Sequence, residues 1–279
     1  MFSIYILTYN EEIDIDDCIK SALQCDDLIL VDSYSTDKTI EIASQYPIRI
    51  FQHQFESHGK QRSWMLENIE TKYDWVYLLE ADERMTTELF NECLEAIKSN
   101  QYIGYYVPEK MMFLGQWIRY SAQYPRHQMR LFKKGEVTFI DFGHAEREVY
   151  QGEVGYLQNA YPHYTCSKGL SRWLEKHNRY STDEAKETIS QLEARKNINW
   201  QELFFGETEV IRRRALKDLS LRIPFRPLMR WFYMYFILRG FLDGKAGFAW
   251  CTLQAFYEYF ILLKVEELQE KNKNFNDYL

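Results

Sequence analysis

The chain has 279 residues and a net charge of −7 at pH 7. This length allows one large α/β domain with a tail, or two small domains, and the acidic balance argues against nucleic-acid binding over a broad surface. Five scattered cysteines without CxxC spacing indicate buried thiols in a reducing compartment, and no basic stretch precedes the first apolar run, which argues against a signal peptide.

Short apolar runs alternate with helical patterns through the first hundred residues. The predicted strands are residues 4–7, 28–31, 48–51 and 75–79, and the predicted helices are residues 11–23, 35–45 and 59–69, the second of them capped by Ser35 or Thr36. This order indicates an α/β fold with a mostly parallel sheet flanked by helices. Ligands bind such sheets at the carboxyl ends of the strands.

The pattern becomes less regular after residue 84. A helix at 87–99, strands at 104–108, 128–133 and 147–150, and a helix at 167–197 are predicted there. We therefore assign residues 1–200 to a catalytic domain and residues 201–279 to a helical, membrane-associating C-terminal region.

That C-terminal region combines a basic amphipathic helix at 207–223 with apolar, aromatic stretches at 228–242 and 248–265. Arg230, Arg239 and Glu258 interrupt these stretches, so two helices in the membrane interface, or a re-entrant pair, fit better than membrane spans. The alternative is a helical cap on the core. Residues 195–245 carry 11 basic against 5 acidic side chains, which suits the cytoplasmic side of an anionic membrane, with peripheral or monotopic attachment.

Polar side chains follow three of the predicted strands. They are Thr8, Tyr9, Asn10 and Glu11 after the first, Asp32 after the second, and Glu80, Ala81 and Asp82 after the fourth. Glu80 and Asp82, with a small residue between them, can bind one hard cation, Mg²⁺ or Mn²⁺, which neutralises a departing diphosphate. Asp32 suits a base or ribose contact, whereas Asp37 either joins it or only caps the next helix.

Lys60 and Arg62 begin the third helix, where both side chains can reach a phosphate. With residues 8–11, Asp32 and Ala81, they form our predicted nucleotide-sugar-binding set.

Four ordered motifs resemble family 2 glycosyltransferases: LTYNEE at 7–12, VDSYSTD at 31–37, KQRSW at 60–64 and EADE at 80–83. Later segments are similar to a bacterial branch of that family, which includes lipopolysaccharide-core β-glucosyltransferases and exopolysaccharide transferases. These segments are RLF at 130–132, GH at 143–144, HY at 163–164 and WLEKHNRYS at 173–181. The resemblance covers about residues 1–185.

The resemblance implies a GT-A fold, a nucleotide-diphosphate sugar donor such as a UDP-sugar, a divalent cation, and inversion at the anomeric carbon of a transferred hexose. It also implies a glycan or lipid-linked acceptor in cell-surface polysaccharide or lipopolysaccharide synthesis. Asp82 matches the family's closer metal ligand, whereas Glu80 stands where the family usually has Asp. His163 stands where the family can place a distal metal or diphosphate ligand.

Inversion requires a general base beside the acceptor hydroxyl. In related enzymes the base is a carboxylate in the neighbourhood of residues 141–148, often next to a histidine. Glu146, Glu148 and Asp141 are the candidates, and we favour Glu146. His144 either orients the acceptor or is structural.

Other classes are less compatible with the sequence. A nucleotidyltransferase needs a glycine-rich, basic triphosphate loop near the N-terminus, and residues 7–11 contain neither glycine nor a basic side chain. A Rossmann dehydrogenase needs a GxGxxG motif, which is missing. A non-catalytic carbohydrate- or membrane-binding scaffold with the same fold is an open alternative. Such a scaffold would be distinguished by binding a nucleotide sugar without releasing the nucleotide.

Overall fold

The computed structural model describes residues 1–142, 145–194 and 225–276. It divides into two compact units, one of Met1–Lys168 and one that begins at Gly169. The domain boundary predicted after residue 200 lies outside the described residues and stays a prediction.

The first half of the first unit alternates strands and helices. Its elements are β1 (Ser3–Thr8), α1 (Ile15–Ala22), β2 (Leu28–Asp32), α2 (Thr39–Ala43), β3 (Arg49–Gln52), α3 (His58–Asn68), β4 (Trp75–Glu80) and α4 (Thr87–Ser99). The second half consists of strands, namely β5 (Gly104–Phe113), β6 (Gln116–Trp117), β7 (Arg126–Lys133), β8 (Val137–Phe142), β9 (Ala145–Tyr150), β10 (Val154–Tyr156) and β11 (Tyr161–Tyr164).

Nine strands of the described chain form one sheet in the order β10-β5-β7-β4-β1-β2-β3, with β6 and β11 also paired to β5. Strands β1 to β4 are parallel, and β7 is antiparallel to both β4 and β5. Strands β8 and β9 form a separate antiparallel hairpin. The predicted α/β fold with a parallel-rich central sheet is confirmed.

Both faces of the sheet are covered, which explains why its central strands are continuous apolar runs. Ile4 of β1 packs in one core cluster with Ile19 of α1 and Leu89 of α4. Tyr5, whose side chain alternates to the opposite face, belongs to a second cluster with Met65 of α3 and Phe139 of β8.

Two predicted helix starts are wrong. The first helix begins at Ile15 rather than residue 11, because the carbonyl of Glu11 accepts the N–H groups of Asp14 and Ile15 in a turn (2.9 Å each). The second begins at Thr39, and neither Ser35 nor Thr36 caps it. Its N-cap residue is Lys38, and the carboxylate of the preceding residue, Asp37, accepts from the Thr39 N–H at 3.0 Å.

The second unit is helical where the structure describes it. It contains α5 (Gly169–Ala194), α6 (Arg226–Phe232), a π-helical turn (Tyr233–Ile237), a 3₁₀ turn (Gly240–Asp243) and α7 (Gly244–Asn276). Ala185 of α5 packs with Ile261 and Val265 of α7. The buried Glu258 of α7 binds Arg226 at 2.8 Å and Arg230 at 3.3 Å, which joins α6 to α7.

None of the described helices combines the length and the apolar character needed to cross a membrane. The stretch at 228–242 forms short helical pieces, and the stretch at 248–265 lies inside α7. The basic amphipathic helix predicted at 207–223 lies outside the described residues.

Candidate active site

The carboxyl ends of β1, β2 and β4 meet at one edge of the sheet. Thr8 at the end of β1 pairs with Asp32 of β2, and Leu7 pairs with Glu80 of β4. The three polar segments that the sequence places after these strands are therefore neighbours in space.

The loops after β1 and β2 are fastened to each other. Asn10 has a positive φ of 54°. Its backbone N–H donates to Ser35 Oγ, and its Oδ1 accepts from the Thr36 N–H, each at 2.8 Å. The N–H of Glu11 donates to Thr39 Oγ1 at 2.7 Å. These bonds fix the backbone of residues 10 and 11, two of the predicted nucleotide-binding positions.

Asp32 is fully buried at this edge and is held by neutral donors. Its carboxylate accepts from the N–H of Ser35 and from Gln52 Nε2, both at 3.0 Å. Nearby, the hydroxyl oxygen of Thr8 is buried without a hydrogen-bond partner, while Tyr9 is 50% exposed. This edge thus combines buried polar groups with an exposed aromatic side chain.

Two arginines bind Glu80. Arg62 Nη2 lies 3.1 Å from Glu80 Oε1, and both terminal nitrogens of Arg130 lie 3.1 Å from the same oxygen. Burial tends to raise the pKa of Glu80, but the guanidinium groups of Arg130 and Arg62 outweigh it and hold this pKa well below its usual value. The sequence predicts Glu80 as a metal ligand. In this structure its Oε1 binds both Arg62 and Arg130.

Glu83 and Arg130 form a buried ion pair behind the acidic strand end. The Glu83 carboxylate binds Arg130 Nη2 and accepts from the N–H of Glu80 at 3.0 Å. The guanidinium of Arg130 also lies over the ring of Tyr161, 5.1 Å from its centroid. Burial raises the pKa of Glu83, with Glu80 adding to the shift and Arg130 opposing it. The pair supports the backbone that carries Asp82.

Strand β11 brings His163 to Asp82. The N–H of Tyr164 donates to the carbonyl of Asp82 at 2.8 Å, so the two backbones run side by side. His163 Nε2 lies 3.2 Å from Asp82 Oδ2, and Nδ1 lies 2.5 Å from Glu109 Oε1. Although burial opposes it, these two carboxylates raise the pKa of His163 well above its usual value.

The donor set of Asp82 and His163 fits a divalent cation, whose binding would displace the proton from the imidazole. A carboxylate and an imidazole are ligands that Mn²⁺ accepts, and a second carboxylate on the other ring nitrogen is the usual support of a metal-binding histidine. Over the described residues, no cluster of three or more His, Cys, Asp or Glu side chains is arranged to hold a metal. Two protein ligands suit a cation that takes its other ligands from substrate phosphates and water.

The three candidate bases have different partners. Asp141 accepts from Ser57 Oγ at 2.8 Å and from the N–H of Gly59 at 3.1 Å, and so holds the start of α3. Glu148 accepts from the hydroxyl of Tyr106. Glu146 lies 2.9 Å from Arg62 Nη1. His144 lies outside the described residues.

The two predicted phosphate ligands lie in different environments. Lys60 is exposed and pairs with Glu56 at 2.7 Å. Arg62 is buried, and its terminal nitrogens bind Glu80 and Glu146. Ala81 is buried, with its N–H donating to the carbonyl of Leu7 at 3.2 Å. The predicted roles of these residues toward a nucleotide sugar stay predictions.

Glu11 is paired with a lysine that sequence reasoning did not consider. The ammonium of Lys168 binds Glu11 Oε1, while Oε2 is buried without a hydrogen-bond partner. Burial raises the pKa of Glu11 to about 7, with Lys168 opposing the shift and Asp82 adding to it. A carboxylate and an ammonium therefore lie together at this edge.

Sequence reasoning gave no role to Glu83 of the EADE motif, and it missed Arg130, Glu109 and Arg126 as parts of the site. Arg130 stands in the RLF motif but was given no role. Glu109 carries a weak signal of its own, because it is an acid inside the apolar run of β5, and buried acids need charged partners. Nothing in the local sequence indicates that those partners are His163 and Arg126.

A parallel-rich α/β sheet with acidic side chains at the ends of its strands suits a ligand site at that edge. The model of the family described as "Glycosyl transferase family 2" matches residues 3–146, which is more than half of the chain. The chain belongs to glycosyltransferase family 2.

Relatives of this chain agree with that assignment. The chain is 27% identical over 213 residues to the lipopolysaccharide core biosynthesis glycosyltransferase LpsC of Rhizobium meliloti, with 73% of this chain and 76% of that protein covered. It is 26% identical over 289 residues to an uncharacterized glycosyltransferase of Rickettsia typhi, with 98% of this chain and 89% of that protein covered.

Among solved structures, the mannosyltransferase PcManGT of Pyrobaculum calidifontis, in complex with GDP-Man and Mn²⁺, superposes with a TM-score of 0.53. The match covers 95% of this chain and 86% of that one at 13% identity, and so concerns the fold alone.

Proposed function

We propose that this family 2 glycosyltransferase is a metal-dependent, inverting enzyme that transfers a hexose from a nucleotide-diphosphate sugar, most simply a UDP-sugar. The acceptor we propose is a glycan or lipid-linked glycan in lipopolysaccharide or cell-surface polysaccharide synthesis. The observation that carries the proposal is the pair of Asp82 and His163, 3.2 Å apart at the carboxyl edge of the sheet. The similarity to the lipopolysaccharide core biosynthesis glycosyltransferase of Rhizobium meliloti supports the pathway.

In this proposal, different residues at the carboxyl edge of the sheet bind different parts of the sugar donor. Asp82 and His163 would hold a divalent cation, which would supply positive charge to the leaving nucleoside diphosphate. Residues 8–11 and Asp32 bind the base and ribose, and Lys60 lies within the segment assigned to phosphate contacts. Lys168 adds a cationic group beside Glu11.

A carboxylate of the β8–β9 hairpin removes the proton of the acceptor hydroxyl as that oxygen attacks the anomeric carbon, and the bond between this carbon and the nucleoside diphosphate breaks. We propose Glu146 for this role. Support comes from Arg62, which binds both Glu146 and Glu80 and so ties this carboxylate to the acidic strand end. Asp141 and Glu148 are bound to α3 and to Tyr106 instead.

We also propose that the protein works at the cytoplasmic side of a membrane, attached peripherally or monotopically. The exposed apolar side chains of α6 and the basic excess of residues 195–245 support this.

The function is tested by nucleotide release from a panel of UDP-sugars, with Mn²⁺ and purified membranes as the source of acceptor. Asp82→Ala should lower the rate by about 10²-fold or more, because stabilisation of the leaving diphosphate is lost. Asp17→Ala is a matched control, since Asp17 is an acid of α1 with 71% of its side chain exposed. Wild-type rates in Asp82→Ala would contradict the metal role, and binding without release by the wild type would indicate a scaffold.

A further inference from the structure

Glu109 lies behind His163, on the side away from Asp82. Its side chain on β5 is only 2% exposed, and no part of the proposed chemistry uses it directly. A buried carboxylate is costly unless charged or hydrogen-bonding groups satisfy it, so its partners explain why it is there.

Each oxygen of Glu109 has its own partner. Oε1 lies 2.5 Å from His163 Nδ1. Oε2 accepts from Arg126 Nε at 2.8 Å and from Arg126 Nη2 at 2.5 Å. Arg126 is the cross-strand neighbour of Glu109 on β7, and its side chain is 53% exposed. The carboxylate is therefore anchored on one side by an arginine and faces the histidine on the other.

The four side chains form one continuous series across three strands and a strand end: Arg126, Glu109, His163 and Asp82. A hydrogen bond at Nδ1 fixes the orientation of an imidazole ring and directs Nε2 the opposite way. Here that direction is toward Asp82, at 3.2 Å.

We propose that Glu109 is a positioning residue, which holds the His163 ring with Nε2 toward Asp82 and thereby sets the affinity of this edge for a divalent cation. The inference rests on the proposed function, because it takes the pair of Asp82 and His163 as the cation ligands. Arg126 supports it by holding the second oxygen of Glu109. Carboxylates in this supporting position typically contribute 10- to 100-fold to metal affinity.

A purely structural role for Glu109 makes a different prediction. The ion pair with Arg126 joins β5 to β7, and its loss would disturb the sheet whatever residue stands at position 163. A positioning role acts only through the His163 ring. A double-mutant cycle separates the two, because residues that act through one contact are not additive.

The test is the affinity of the full-length protein for Mn²⁺ in the presence of UDP, measured by calorimetry without any turnover. Glu109→Gln should weaken Mn²⁺ binding by about 10- to 100-fold. His163→Ala should weaken it at least as much, and the double variant should bind no more weakly than His163→Ala alone. Asp27→Asn is the matched control, because Asp27 is also a buried carboxylate bound to an arginine, Arg49, at 2.6 Å; its Mn²⁺ affinity should equal that of the wild type.

Unchanged Mn²⁺ affinity in Glu109→Gln, or an equal further loss in the His163→Ala background, would overturn the inference and leave the proposed function intact. A wild-type protein that binds UDP but no Mn²⁺ would instead overturn the metal-dependent function and this inference with it. If Glu109→Gln does not fold, Arg126→Gln replaces it in the cycle. Arg126→Gln removes the partner of one Glu109 oxygen, and the Arg126 side chain is about half exposed. The change should lower Mn²⁺ affinity in the wild-type background but not in the His163→Ala background.

Discussion

Arg62 connects two acidic side chains that come from different parts of the fold. It is 5% exposed, and its terminal nitrogens lie 3.1 Å from Glu80 of β4 and 2.9 Å from Glu146 of β9. A buried guanidinium with two carboxylate partners keeps both in place, because its planar fork fixes their directions. The position of Glu146 is thereby coupled to the acidic strand end.

At the scale of single residues, we predict that Glu146→Gln lowers kcat by about 10²- to 10⁴-fold, because glutamine keeps the shape of the side chain but cannot accept the proton. The affinity for UDP should change little. Initial rates of nucleotide release at saturating donor, with UDP titrations alongside, check both statements.

Glu148→Gln is the matched control for that prediction, since Glu148 lies two residues further along β9 and binds Tyr106. It should retain most of the activity. Loss of activity in Glu148→Gln together with a normal rate in Glu146→Gln would show that Glu148, rather than Glu146, is the base.

At the scale of elements, the segment from α6 to the 3₁₀ turn has an unusual surface. Leu228, Met229 and Phe232 of α6 are more than half exposed, as is Ile237 of the following π-helical turn. Together with Trp231 and Tyr233 they line one open apolar depression. On the inner side, Arg226 and Arg230 hold α6 to Glu258 of α7. An exposed apolar surface of this kind suits the interfacial region of a membrane.

We therefore predict that Leu228→Glu combined with Phe232→Glu lowers binding to anionic phospholipid vesicles by about 10²-fold, because two apolar side chains no longer enter the interface. Vesicle cosedimentation of the full chain measures the effect.

Ile140→Glu is the matched control for the vesicle experiment, since Ile140 is 50% exposed on the β8–β9 hairpin of the other unit. Its vesicle binding should equal that of the wild type. Unchanged cosedimentation of the double variant would count against a membrane role for α6.

At the scale of the whole molecule, the parallel half of the sheet was predictable because its signals are local. β1, β2 and β4 are apolar runs bounded by polar turns, and α4 begins at Thr87 and ends at Ser99 as its pattern predicts. The short strands β10 and β11 escaped prediction, because pairing with β5 defines them rather than a local pattern.

In the site, too, features set by local sequence were predictable, whereas contacts between distant strands were not. The sequence was sufficient to bring Thr8, Asp32 and Glu80 to one edge, because parallel strands end together. It was not sufficient to predict the contacts of Glu109, since these depend on the register of β5 with β7 and β11. Arg62 was expected to reach a phosphate, and its two carboxylate partners follow from tertiary packing of α3 against the hairpin.

The central claim is that this edge binds a nucleoside diphosphate through a cation held by Asp82. Its most direct test is a calorimetric titration of the wild-type protein with UDP, first with Mn²⁺ and then after removal of the metal with a chelator. We predict binding with Mn²⁺ and a loss of at least about tenfold in affinity without it, because the cation links the carboxylate to the diphosphate. UDP affinity that is the same with and without Mn²⁺ would contradict the claim.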